Sequence, residues 1–402
     1  MLPLLLVFSL LVQLASAAPT NAASESPAPA PDPTSSNYRS VWSILGTCAL
    51  TLIICVWKSS FPNITHEKKW YKVVLYRVAL GLVALVTPEI TAVRAFLEWR
   101  EAGKIKENFS NRGWTRAHGF FALMGGFLLQ DGTRRKLLKD TYDLECLRDE
   151  GIVNPKITKE EIRDRSKSDG IGNAVLVLQL SWFILQVIAR GANDLAITLV
   201  EIDTLALAVL SLPLFFFWWS KPMAVERPHI FYISKQRSTD SSADDDGTQK
   251  ASFNSEQDYT FSISRGRGDW FSEIATGGLT VDGHEVLPVL LIVWIIFGSL
   301  HLIAWDFQFP SQVEKIMWRA ASLTLIGAPC IYLLVIVVGK ESFDAFAEPQ
   351  LPDMILPILM FGPILLGAVA RVVLLVLMFA SLRDLPSSAH ETVSWTVYVP
   401  HL

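Results

Sequence analysis

Seven side chains can carry charge or bond a polar partner inside stretches that are otherwise apolar: Glu89, Gln179, Gln186, Arg190, Glu201, Asp203 and Arg371. A charge inside an apolar helix of membrane length is costly, so each must face a partner, water or a bundle interior. Two chemistries follow. The groups line a polar path or bind a small solute or ion, or they hold helices together by interhelical hydrogen bonds and ion pairs. At roughly 100° per residue, Gln186 and Arg190 return to within about 20° of Gln179, so the three share one arc. Thr198, Glu201 and Thr204 form a stripe on the following helix, with Asp203 on its other side. Arg371 is a candidate partner for Glu201, Asp203 or Glu89.

Other chemistry is poorly represented. The chain has no His-Glu-x-x-His, no Gly-x-Ser-x-Gly, no Gly-x-x-x-x-Gly-Lys-Ser/Thr and no Gly-x-Gly-x-x-Gly opening a helix. The motifs therefore point to no enzyme, metal or cofactor. His118, His301, His390 and His401 lack ligand spacing, and His301 reads as an amphipathic anchor at the end of an apolar run. Cys48, Cys55, Cys146 and Cys330 form no CxxC pair and read as free thiols, three of them within apolar runs. A net charge of -4 points away from nucleic acid.

The elements that must position these groups follow from the apolar blocks. Hydrophobic residues make up 51% and charged residues 18% of the 402, against about a quarter charged in soluble domains. Several blocks reach the roughly 20 residues that span a bilayer. Residues 1–17 read as a signal peptide ending in Ala15-Ser16-Ala17. Residues 18–39 are rich in Pro, Ala and Ser and read as a disordered lumenal stub. The predicted fold is all-α, a polytopic bundle of seven or eight spans. A first transmembrane group covers residues 40–130, with spans at 40–57, 73–97 and 114–129. A hairpin covers 171–219, and a second group covers 286–385, with spans at 286–305, 316–338 and 356–382.

Pro88-Glu89 predicts a kink in the second span. The run 114–129 is short and holds Arg116 and His118. It reads as crossing because residues 131–170 and 220–285, both rich in Lys and Arg, then share the cytosol with Lys58. Thr158 and Glu161 fit a helix-opening capping box, and residues 234–258 read as disordered. Within the hairpin, Gly191 to Asp194 is the turn, Arg190 lies beside Asp194, and Glu201 lies about 10 Å deeper in the membrane. Trp218-Trp219 with Lys221 reads as an aromatic belt and a snorkelling cation. The tail 386–402 is polar and lumenal. Asn108, in Asn108-Phe109-Ser110, is the lumenal glycosylation candidate. The expected partner is the lipid bilayer of the secretory pathway.

An ordered set of blocks carries a resemblance. They run from His118-Gly119-Phe120 and Met124-Gly125-Gly126-Phe127 through Arg165-Ser166-Lys167-Ser168-Asp169 to Trp218-Trp219-Ser220-Lys221-Pro222. Then come His301 to Trp305 with Phe309-Pro310, Trp318-Arg319, Arg371 with Ser381-Leu382-Arg383, and Trp395 to His401. Together they resemble a family of fungal multi-pass integral membrane proteins with no assigned activity. The resemblance implies a membrane protein and supplies no site role. A transporter or channel and a non-catalytic receptor or scaffold acting through the cytosolic loops both remain open.

Overall fold

The computed structural model describes residues 38–61, 63–64, 70–131, 134–139, 141–148, 152–153, 156–167, 170–233, 283–345 and 355–393. The predicted signal peptide, nearly all of the predicted stub, and residues 234–282 and 394–402 lie outside them. The fold is mostly helical with one small sheet.

The first apolar run forms α1, Val41–Trp57, whose N-cap Ser40 accepts a bond from the Ser43 amide. The second does not form one span. It divides into α2, Trp70–Val86, and α3, Pro88–Asn108, bent by 109° at Thr87. Pro88 opens α3 because it lacks an N–H and its fixed φ suits a first turn. The kink predicted at Pro88 is therefore a turn back. The charged and polar stretch from Glu98 continues α3 for three turns, to Asn108.

The run 114–129 is not a span either. It gives α4, Arg116–Leu123, eight residues or about 12 Å, and then β1, Phe127–Asp131. Gly125, at φ 80°, ends the helix in a conformation that disfavours a Cβ. Gly119 packs α4 on α3: a Cβ there would lie 2.4 Å from the Ala102 carbonyl oxygen. His118, expected within a span, closes the α4 capping box with Thr115 and bonds the Ile157 carbonyl at 3.0 Å. Burial pushes its pKa down.

The chain then makes β2, Arg134–Leu138, a short helix α5, Thr141–Glu145, and β3, Ile152–Val153. Next is α6, Lys159–Arg165, with the predicted Thr158–Glu161 capping box in place. The hairpin is α7, Gly170–Ala192, and α8, Leu199–Phe217. Strand β4, His229–Ile233, follows. The sheet order is β2-β1-β4-β3, with β1 and β4 parallel. It joins two segments that the sequence reading treated as separate loops. The expected all-α class is corrected to this extent. The last helices are α9, Gly283–His301, α10, Gln312–Ala345, and α11, Ile355–Ala380.

Among the described residues three helices are long and apolar enough to cross a membrane, or up to four if the bent pair counts as one. They are α7, α8 and the stretch Leu365–Arg383; Val41–Trp57 and Pro288–Ala304 are apolar but shorter. The seven or eight spans predicted are thus not supported.

α8 is the axis of the molecule. Its apolar window is 78% buried, against 22% for α7. One apolar core gathers α1, α7, α8 and parts of α9 to α11. A second gathers α3, α4, the sheet and the segments around it, and takes Leu214 and Trp218 from the end of α8.

Candidate functional site

Three clusters of buried charge are strung along α8. The first is at its start. Thr198 is the N-cap, and Glu201 returns the capping bond by accepting from the Thr198 amide at 2.9 Å and its hydroxyl at 3.0 Å. Glu201 therefore lies in the first turn rather than deep in a span. Its main partner is Arg39, which donates from Nη1 to Oε1 at 2.5 Å and from Nη2 to Oε2 at 3.1 Å. Arg39 also donates from Nε to the Ala389 carbonyl at 2.7 Å.

Arg190 does not pair with Asp194, which sits exposed in the turn at φ 53°. It donates instead to the carbonyls of Ala196, Ser388, Ala389 and Glu391, and its Nε lies 4.0 Å from Glu201 Oε1. Tyr38 stacks on His390 at 5.3 Å and bridges to Glu391. Two arginines and one carboxylate thus pin segments 38–40 and 386–391 to the head of α8. The stub, read as disordered to residue 39, contributes the closest partner of Glu201.

The second cluster begins one residue pair further along. Asp203, His301 and Arg371 are all fully buried. Arg371 grips Asp203 with both terminal nitrogens, Nη1 on Oδ1 and Nη2 on Oδ2 at 3.0 Å. Its Nε donates to the Leu85 carbonyl at 3.3 Å, just before the α2–α3 break. The bidentate fork is the strongest ion-pair geometry available to these groups.

His301 Nδ1 is 2.8 Å from the Phe297 carbonyl, so that nitrogen carries a proton. Nε2 lies 3.2 Å from Asp203 Oδ1 and 3.3 Å from Arg371 Nη1. A neutral ring accepts there from Arg371; a protonated ring donates to Asp203. The ring therefore lies within reach of both members of the ion pair. Glu89, buried at the start of α3, bonds the Trp294 side chain and feels the Arg371 charge. The open assignment of Arg371 resolves to Asp203. His301, read as a peripheral anchor, is central.

The third cluster closes the other end of α8. Glu98 accepts from Arg94 Nε at 2.9 Å, from the Trp218 indole at 2.8 Å and from Lys221 Nζ at 2.5 Å. Trp218 and Lys221 are therefore not a belt and a snorkelling cation: Trp218 is buried, the Lys221 side chain is 8% exposed, and Trp219 alone of the three is exposed. Lys58 follows α1 and is 4% exposed. Its Nζ has no hydrogen-bond acceptor among the described residues and faces the Phe215 ring at 5.2 Å. Burial, then the nearby Lys221 charge, pushes its pKa down to about 7. Burial likewise lowers Lys221 to about 8, with Glu98 opposing.

The remaining candidates stand apart. Gln179 and Gln186 are half-buried on α7 and join none of the three clusters. Asn108 is exposed at the end of α3, on the side of the sheet. A narrow cleft of ≈ 10 Å³, about one water, lies between Cys55, Pro88, Thr91, Leu207 and Ser211. Sequence reasoning missed Arg39, Arg94, Glu98 and Lys58. The signal was available for Lys58 and Arg39, single cations placed just outside an apolar run. For Glu98 and Arg94 it was the i,i+4 spacing of opposite charges.

A family model matches residues 4–241 and 269–402, and the chain belongs to that family, described as a family of unknown function (DUF8562). No curated protein and no solved structure matches the chain.

Proposed function

We propose that this is a multi-pass membrane protein of the secretory pathway whose bundle is a closed, charge-braced anchor. In this reading its sheet-bearing end is a cytosolic interaction module, so the protein is a receptor or scaffold. Six helices, α1 and α7 to α11, cross, and α2–α3 is re-entrant. Support comes from the way the ends fall together. With six crossings, Tyr38 and Glu391 lie on one side, as their bridge requires. Lys58, Lys221, the sheet and the Lys- and Arg-rich segment 134–167 lie on the other, which the positive-inside preference assigns to the cytosol. The re-entrant pair replaces two predicted crossings with none, so the predicted sidedness of these loops survives. Asn108 then lies in the cytosol and is not glycosylated. Fungal origin rests on the ordered sequence blocks alone.

The observation that carries the anchor reading is the Asp203–Arg371–His301 cluster. Its charges are paired inside the bundle and the adjoining cleft admits about one water. A second reading has one specific support: Asp203, His301 and Arg371 place ionisable groups inside the bundle, with Arg371 reaching the Leu85 carbonyl at the α2–α3 break, as a transporter of a small solute or ion requires. Proteoliposomes separate the two. The anchor reading predicts proton and small-ion flux equal to empty vesicles. Flux that vanishes in Asp203→Asn would replace it with the transporter.

A further inference from the structure

Cations from three elements converge at the sheet-bearing end of the bundle: Lys58 after α1, Arg94 on α3 and Lys221 after α8. Glu98, the carboxylate bonded to two of them, already accepts from Arg94, Trp218 and Lys221. Lys58 Nζ is shielded from solvent and has no acceptor among the described residues. An ammonium group has three donors, and the face of Phe215 answers none of them with a lone pair. Lys221 lies close enough to repel it. A fourth cation, Arg77 on α2, stacks on Phe61 at 4.3 Å, one turn along from Lys58. Beside these cations the buried Lys58 ammonium lacks an acceptor among the described residues.

We propose that Lys58 and Lys221 form a binding site for a phosphate group, carried by the headgroup of an anionic lipid in the adjacent leaflet. Phosphate oxygens accept several charge-assisted bonds at once and can serve both ammonium groups together. Basic pockets between membrane helices on the cytosolic side suit such headgroups. The entry side is α2. It buries only Leu80 and Ala84 and exposes Leu75, Val78 and Leu82, so it is the least anchored wall around Lys58. The cleft below is too small for an acyl chain, so the chains stay outside along that exposed face. The lipid source rests on the membrane reading above; the phosphate site rests on Lys58 itself.

The test is thermal unfolding of the full chain in a non-ionic detergent. It is titrated with dioleoylphosphatidic acid, dioleoylphosphatidylcholine or inorganic phosphate. Phosphatidic acid should raise Tm by about 5 °C, with phosphatidylcholine giving no shift. Lys58→Met should match or exceed the lipid-free Tm of the wild type, because it removes an unpaired buried cation, and should lose the phosphatidic acid increment. Lys58→Arg, which keeps the charge, should retain most of it. An equal shift with inorganic phosphate alone would support the site and assign it to soluble phosphate. A chain that stays monodisperse without detergent would sink the membrane reading and leave the phosphate titration to judge the site. Three results overturn the proposal: no shift in the wild type with any of the three, an undiminished increment in Lys58→Met, or equal shifts with both lipids.

Discussion

The two ends of α8 bury the same kinds of group and settle them differently. Near its start, Glu201 and Asp203 face Arg39, Arg190 and Arg371, and each arginine donates to a carboxylate or to backbone carbonyls. The carbonyls come from places where helices stop: Leu85 before the α2–α3 break, Ala196 in the hairpin turn, Ser388 to Glu391 after α11. Broken helix ends free acceptors, and arginine's flat fork collects them. At the far end one carboxylate serves Arg94, Trp218 and Lys221, and Lys58 is left facing a ring. A helix-rich bundle can therefore absorb buried arginines wherever its helices break. Lys58 and Lys221 also follow helix ends, those of α1 and α8, but the Val56 carbonyl there is taken by the Ser59 and Ser60 hydroxyls, and Lys58 collects no acceptor among the described residues.

The comparison can be broken most severely at Asp203. Arg371→Met leaves a fully buried carboxylate with only His301, and should cost about 3–5 kcal/mol; chemical or thermal unfolding in detergent measures it. Arg39→Gln is next. Glu201 keeps its capping bonds and Arg190 at 4.0 Å, so the loss should be about 2 kcal/mol, with faster proteolysis of the tail after residue 386.

The other end should show its imbalance through pH. Lys58 and Lys221 have lower pKa values folded than unfolded, about 7 and about 8. Between those values and the ordinary lysine range the unfolded chain binds more protons, so stability should rise with pH from about 7 to about 10. The cost of burying charged Lys58 is fully present below about pH 7. In Lys58→Met the slope should fall. A stability curve that is unchanged by this substitution contradicts the assignment. The smallest effect belongs to Gln186→Leu, outside all three clusters, at under about 0.5 kcal/mol.

Much of this was legible in the sequence, and the illegible part has common physical causes. The apolar runs placed α1 and α11 to within two residues, because apolar periods are local properties, while α9 begins three and ends four residues before the predicted 286–305. Arg371 announced a buried partner because a lone charge in an apolar run must have one. The α2–α3 turn was visible only as Pro88-Glu89, since a re-entrant pair and a kinked span share one apolar pattern. The run 114–129 was ambiguous for the same reason: about 16 apolar residues suit a short span, or a helix and a buried strand. Strand β4 is five residues long and pairs with β1 across a separation of about 100 residues, which no local pattern encodes. The distant partners of Arg39 and Glu98 were hidden too, 162 and 120 residues away.

The central claim is that Asp203 and Arg371 brace one end of α8. A double-mutant cycle tests it, using Asp203→Leu, Arg371→Leu and both together, with unfolding free energy measured for the full chain in detergent. Each single change should cost about 3–5 kcal/mol, and the double should recover most of that loss, because an apolar pair leaves no buried charge unpaired. A double variant as unstable as the sum of the two single ones would contradict the brace.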